Sequence, residues 1–99
     1  MKLEARGIVA APFLPMHPDQ SIDFGALVPY LSWIATQRPT AIAMNMDASE
    51  GPALDRDEQL AVLDASKRAI GGACPLVSGL IAGSTGDALH AVLCAAGFN

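Results

Sequence analysis

The chain has 99 residues, 52% of them hydrophobic and only 16% charged, with a formal net charge of −4. That is apolar for a small soluble domain, where roughly 45–50% hydrophobic and 25% charged residues are usual. Six scattered basic residues against ten acidic ones argue against a nucleic-acid or anionic-membrane surface, and no apolar run approaches the ~18 residues of a spanning helix.

Pro12, Pro15, Pro29 and Pro39 interrupt the best apolar runs. Met1-Lys2-Leu3-Glu4 leads into the first strand without the apolar core of a signal peptide. The apolar excess therefore points to missing neighbours, and the expected compartment is cytoplasmic. Cys74 and Cys94 have neither metal-ligand nor redox spacing. Both are expected as buried thiols in a reducing environment.

In chain order, GIVAA at 7–11 is the first expected strand, and Pro12 ends its ladder because proline donates no hydrogen bond. LPMHPDQ at 14–20 is a loop with two prolines. Ser21 or Asp23 can cap the helix expected at 24–37. In it Phe24, Leu27, Val28, Leu31, Ile34 and Ala35 recur at spacings of three and four. Pro29 inside that stripe removes one helical hydrogen bond and is expected to kink the helix or delay its start. Pro39 closes it, because the residue before a proline disfavours helical angles.

The central stretch is AIAMNMDASEGPALDRDE at 41–58. A strand is expected at 41–46, apolar except for Asn45, as suits a strand covered on both faces. Asp47 to Glu50 is small and polar, and Gly51-Pro52 breaks any regular element. Asp55 has Glu58 three residues on, the capping-box spacing, ahead of a helix expected at 56–70. Lys67 and Arg68 fall in its last turn, where the helix dipole favours cations, and Gly71-Gly72 supplies the cap. PLVSGL at 75–80 is the third expected strand. Ser84-Thr85-Gly86-Asp87 repeats the capping spacing and opens a helix expected at 84–96.

The expected strands begin at residues 7, 41 and 75, 34 apart each time. A fixed period of one strand plus one helix marks a repeating βα architecture. Eight such units close a barrel in roughly 250 residues. The expected fold class is α/β: parallel strands in a (βα) repeat, the first three units of a (β/α)8 barrel, incomplete as given, with residues 1–99 as one partial domain. In such sheets ligands are held by the loops after the strands' C-terminal ends. The loop at 47–50 is accordingly the first candidate site.

GIVAAPF, SIDFGAL, SEGPALDRDEQL and PLVSGL followed by STGDAL, in that order, resemble the N-terminal part of the dihydrodipicolinate synthase / N-acetylneuraminate lyase family. The resemblance runs over essentially the whole chain and about a third to two fifths of such a barrel. It implies a class I aldolase-type lyase that holds pyruvate or a similar 2-oxo acid as a Schiff base on a strand lysine. That lysine and the family's catalytic tyrosines would lie past residue 99. Lys67 reads as a surface residue on a helix, and Tyr30 does not match.

The resemblance also implies a carboxylate-binding loop, usually Gly-Thr-Thr-Gly-Glu, here occupied by Met46, Asp47, Ala48, Ser49 and Glu50. Asp47, Ala48 and Ser49 become the expected substrate-binding residues, Asp47 also the candidate catalytic residue, and Glu50 a structural acceptor for loop N–H groups. Ala48 keeps only its backbone N–H as a donor. Asp47 can accept hydrogen bonds from a hydroxylated substrate, act as a base, sit protonated, or merely cap the loop. Ser84 and Thr85 are explained by capping. No cofactor or metal is expected. The expected partners are a small carbonyl or 2-oxo acid substrate and further copies of the chain, since the family forms dimers or tetramers. The alternative is a small self-associating α/β binding module without catalytic activity.

Overall fold

In the computed structural model, which describes residues 6–79 and 84–87, the chain runs β1 (Val9–Ala10), α1 (Phe24–Thr36), β2 (Ala41–Met44), α2 (Arg56–Ile70) and β3 (Leu76–Ser78). The strands form one parallel sheet in the order β1-β2-β3. Val9 and Ala10 pair with Ala41 and Ile42. Ile42, Ala43 and Met44 pair with Leu76, Val77 and Ser78. This is the expected (βα) repeat of parallel strands, with an unclosed sheet. Because all three strands point the same way, the segments following β1, β2 and β3 leave from one end of the sheet.

Local chemistry sets the helix limits. Asp23 caps α1 by accepting the Ala26 N–H at 3.0 Å. The helix starts at Phe24 and runs through Pro29, so the proline does not delay it. Lacking an N–H, Pro29 forgoes the one interior hydrogen bond that would reach back to Gly25. Arg38, at φ 56°, turns the chain out of the helix ahead of Pro39. At α2 the capping box forms as the spacing predicts. Asp55 Oδ1 accepts the Glu58 N–H at 2.8 Å, and Glu58 Oε1 accepts the Asp55 N–H at 3.0 Å. Gly71 ends α2 at φ 60°, with Lys67 and Arg68 in the last turn.

The strands are shorter than the sequence suggests. At β1, ladder pairing is confined to Val9–Ala10 because Pro12 has no N–H to offer. β2 stops at Met44 because Asn45 adopts a left-handed backbone, φ 57°, that no strand continues. Around β3, Pro75 still contributes its carbonyl to the Ile42 N–H, and the Gly79 N–H reaches the Met44 carbonyl at 2.8 Å. Of the helix expected at 84–96, only residues 84–87 are described. There the Asp87 N–H donates to Ser84 Oγ at 3.1 Å, the capping contact; the rest of that helix, and Cys94, lie outside the described residues.

The core lies between the sheet and its two helices. Leu27, Leu31 and Ile34 of α1 and Val62, Ala65 and Ile70 of α2 close over Ile42 and Met44, with Leu14, Leu54 and Cys74 at the margins. Ser32 Oγ donates to the Ala69 carbonyl, linking the helices at 3.2 Å. Burial pushes the Cys74 thiol up, so it stays protonated at neutral pH, inert as well as buried. Other large apolar groups stay in water: Ile8 and Phe13 are each 76% exposed and Trp33 of α1 is 61% exposed. Among the described residues, no helix is long and apolar enough to cross a membrane.

One backbone approach fixes how β3 leaves the sheet. A Cβ at Gly79 would collide with the Asn45 carbonyl. Gly79→Ala should therefore destabilise the protein by about 1–3 kcal/mol. Gly72→Ala, where an added Cβ meets nothing within 4 Å, should stay within about 0.5 kcal/mol. Denaturant unfolding of the two variants checks the contrast.

Candidate functional site

The site is made by the way β2 ends. Asn45 is 2% exposed and turns the chain left-handed immediately after Met44. Its Nδ2 donates to the Gln59 carbonyl in α2 at 3.1 Å, while its Oδ1 is buried without a partner among the described residues. Gln59 Nε2 in turn donates to the carbonyls of Gly51 at 3.0 Å and Leu54 at 3.3 Å. Asn45 and Gln59 thus bind both ends of the intervening loop to the first turns of α2.

Between those ends the chain makes two consecutive 3-10 turns, Asp47–Ser49 and Gly51–Ala53. The Met46 carbonyl accepts the N–H groups of both Ser49 (3.0 Å) and Gly51 (3.1 Å), and the Asp47 carbonyl accepts that of Glu50 (3.2 Å). Glu50 joins the turns at φ 60°. A left-handed backbone at a non-glycine residue is uncommon and carries strain, and here Asn45 and Glu50 bracket the turn on both sides.

The expected site residues separate into two kinds. Asp47 and Ala48 are exposed on the outer side of the turn. The Asp47 carboxylate makes no hydrogen bond or ion pair with the described residues, so it does not cap the loop. Ser49 is fully buried, and its Oγ donates to the Pro12 carbonyl at 2.7 Å. It ties the turn to the segment after β1 and offers nothing to solvent. Glu50 is exposed, and its carboxylate likewise has no partner among the described residues. Its structural part is played by its backbone, which corrects the expectation of a carboxylate accepting loop N–H groups.

Other candidates fall away from this turn. Lys67 is exposed at the end of α2, which the topology puts at the opposite end of the sheet. Tyr30 is half-buried against the core. A groove of about 350 Å³ between the starts of α1 and α2 is lined by Ile22, Phe24, Asp57 and Ala61, and two of its three acids, Asp55 and Glu58, are already held in the capping box. Among the described residues, no three metal-ligating side chains come together.

Comparison with known proteins sorts these features. A 4-hydroxy-tetrahydrodipicolinate synthase from Thiobacillus denitrificans is 31% identical over 91 residues, covering 92% of this chain and 31% of the relative. The enzyme of that name from Streptococcus gordonii is 29% identical over 85 residues, covering 86% and 27%. The crystal structure of the chloride-inhibited dihydrodipicolinate synthase from Acinetobacter baumannii, complexed with pyruvate, superimposes with a TM-score of 0.89 at 23% identity, over 97% of this chain and 33% of that one. Over nearly its whole length the chain is similar to members of the dihydrodipicolinate synthase family. It spans about a third of the length of its curated relatives, and matches as an N-terminal portion. No protein-family model matches it. The solved dihydrodipicolinate synthases share its fold, so the three-stranded unclosed sheet is part of their barrel architecture.

The 46–50 turn follows the second strand and carries an exposed carboxylate at Asp47 and a methyl group at Ala48. Sequence reasoning missed Asn45 and Gln59, which fasten the turn. The signal for Asn45 was present, as the one polar residue in an apolar strand; nothing in the pattern marks Gln59.

The loop leading into α1 carries the clearest titration. Asp19 Oδ1 accepts from the Ser21 hydroxyl at 2.6 Å and the Ser21 N–H at 3.0 Å. These bonds favour the charged form and hold the carboxyl below its ordinary value of 3.8. A depressed folded-state pKa contributes stability above the ordinary value, lost as pH falls through the lower one. Stability should therefore fall on acidification below about pH 4, and Asp19→Asn should flatten that part of the slope, as read from unfolding midpoints between about pH 5 and pH 2. Exposure keeps the effect small.

Proposed function

We propose that the protein carrying this sequence is a dihydrodipicolinate synthase-type lyase or aldolase that holds a carbonyl substrate as an imine on a lysine outside this chain. The reading rests on the Asp47 carboxylate. It is exposed, has no partner among the described residues, and sits on a fastened turn at the carboxyl end of the central strand. The lysine amine adds to the substrate carbonyl and water leaves, giving a cationic imine. When the adjacent carbon loses its proton, the electron pair moves toward the nitrogen and the charge is discharged. A carboxylate beside that centre stabilises the cation and takes the proton.

The same charge selects the substrate. Two like charges ~4 Å apart repel by about 4 kcal/mol at an effective dielectric near 20. A carboxylate bound next to Asp47 is therefore penalised. The substrate is a small carbonyl compound or 2-oxo acid whose reacting end is less anionic than pyruvate, or whose carboxylate is met by a cation from a later strand. The reaction needs no metal or cofactor, and the protein works as a homo-oligomer in a cytoplasmic setting.

Borohydride trapping of the full-length protein with hydroxyacetone and with pyruvate tests this reading, with the adduct located by mass spectrometry. The neutral ketone should be trapped in preference to pyruvate. Asp47→Asn, which removes the charge and nearly keeps the shape, should move the ratio toward pyruvate by about tenfold or more. An unchanged ratio in a folded variant would remove Asp47 from the chemistry. No adduct with either compound, from a protein that is a defined oligomer, would favour a self-associating binding module, the reading that the exposed Ile8, Phe13 and Trp33 support.

A further inference from the structure

We infer that Ser49 is a positioning residue that sets how sharply Asp47 discriminates against an anionic substrate, an inference that rests on the functional reading above. The turn closes through its own backbone, by the bonds from Ser49 and Gly51 to the Met46 carbonyl and from Glu50 to the Asp47 carbonyl. The Ser49 hydroxyl is not needed for any of these. It reaches instead across 37 residues of sequence to the Pro12 carbonyl, at 2.7 Å. Ser49 is fully buried and Pro12 is buried too, so the bond is shielded from competition by water.

The consequence falls on Asp47, two residues earlier in the same turn. Asn45 and Gln59 fix the turn to β2 and α2. Ser49 alone, among the described residues, fixes it by a side chain to the segment after β1. With that bond in place, the Asp47 carboxylate holds one position relative to both strand ends. Without it, the turn is anchored on one side only, and the buried Pro12 carbonyl loses its donor. Repulsion between like charges falls inversely with distance. A retreat of 1–2 Å from an initial ~4 Å weakens it enough to change discrimination about fivefold. Ser49 meets no solvent, so it acts through Asp47 and not by touching substrate.

The test is a double-mutant cycle on the full-length protein, read as the hydroxyacetone-to-pyruvate ratio of borohydride-trapped adduct. Ser49→Ala should lower that ratio about threefold to tenfold when Asp47 is present and leave it unchanged in the Asp47→Asn background. Ser49→Gly, which also lacks the donor, should behave alike, and Ser49→Thr, which keeps the hydroxyl, should restore the ratio. Circular dichroism confirms that each variant is folded. Equal changes in both backgrounds would make Ser49 a general stabiliser and overturn the inference. So would an unchanged ratio in folded Ser49→Ala and Ser49→Gly proteins whose Asp47→Asn counterpart does shift, and the functional reading would then survive alone. Absence of any adduct from the unaltered protein would overturn both.

Discussion

The left-handed backbone at Asn45 is the constraint from which the rest of this structure follows. It stops β2 after four residues, at Met44, where β3 is still paired with it and the pairing with β1 has already ended at Ile42. It reverses the chain so that the Met46 carbonyl can collect two N–H groups, and it turns the Asn45 side chain toward α2. The same geometry brings its carbonyl so close to β3 that only glycine fits at position 79. Strand end, site turn, helix anchor and neighbouring strand are therefore set by one residue. Asparagine is among the few side chains that tolerate this conformation.

Around that point the structure divides into a settled side and an open one. On the helical side, α1 and α2 bury a continuous apolar cluster, and the polar groups that enter it are tied: Ser32 to Ala69, Ser66 to the Val62 carbonyl, Asn45 to Gln59. On the open side, Ile8, Val9 and Phe13 remain in water, and the strand edges of β1 and β3 carry no further strand among the described residues. Large exposed apolar groups beside unpaired edges are what a sheet shows before its remaining strands are in place. The match to a third of each dihydrodipicolinate synthase agrees with that picture. The site turn belongs to the settled side, and its geometry is formed by the residues described.

Much of this was legible in the sequence, because the strongest signals are local. The 34-residue spacing gave the parallel repeat, the apolar stripe gave the buried face of α1, and Asp55 with Glu58 gave the start of α2. Each rests on a periodicity or a capping contact a few residues long. What was not legible depends on contacts between distant segments. Ser49 reads as a small polar loop residue open to substrate, yet its hydroxyl is consumed by Pro12. Glu50 reads as a side-chain acceptor, yet it contributes a left-handed backbone corner. Gln59 reads as one more polar residue on a helix face, yet it carries the far end of the loop. Strand lengths were overestimated for a related reason. Met46 extends the apolar run past Asn45, and the fold shows that the backbone turns at Asn45.

The central claim is that the turn bearing Asp47 is a fixed part of the fold and not a loose surface loop. Native-state hydrogen exchange of the Ser49, Glu50 and Gly51 amides, with the β2 amides as internal reference, tests it most directly. All three N–H groups are donated within the turn, and Ser49, Asn45 and Gln59 hold it from outside. The account predicts protection approaching that of β2. Exchange at the rate of an unstructured peptide, while β2 remains protected, would contradict it.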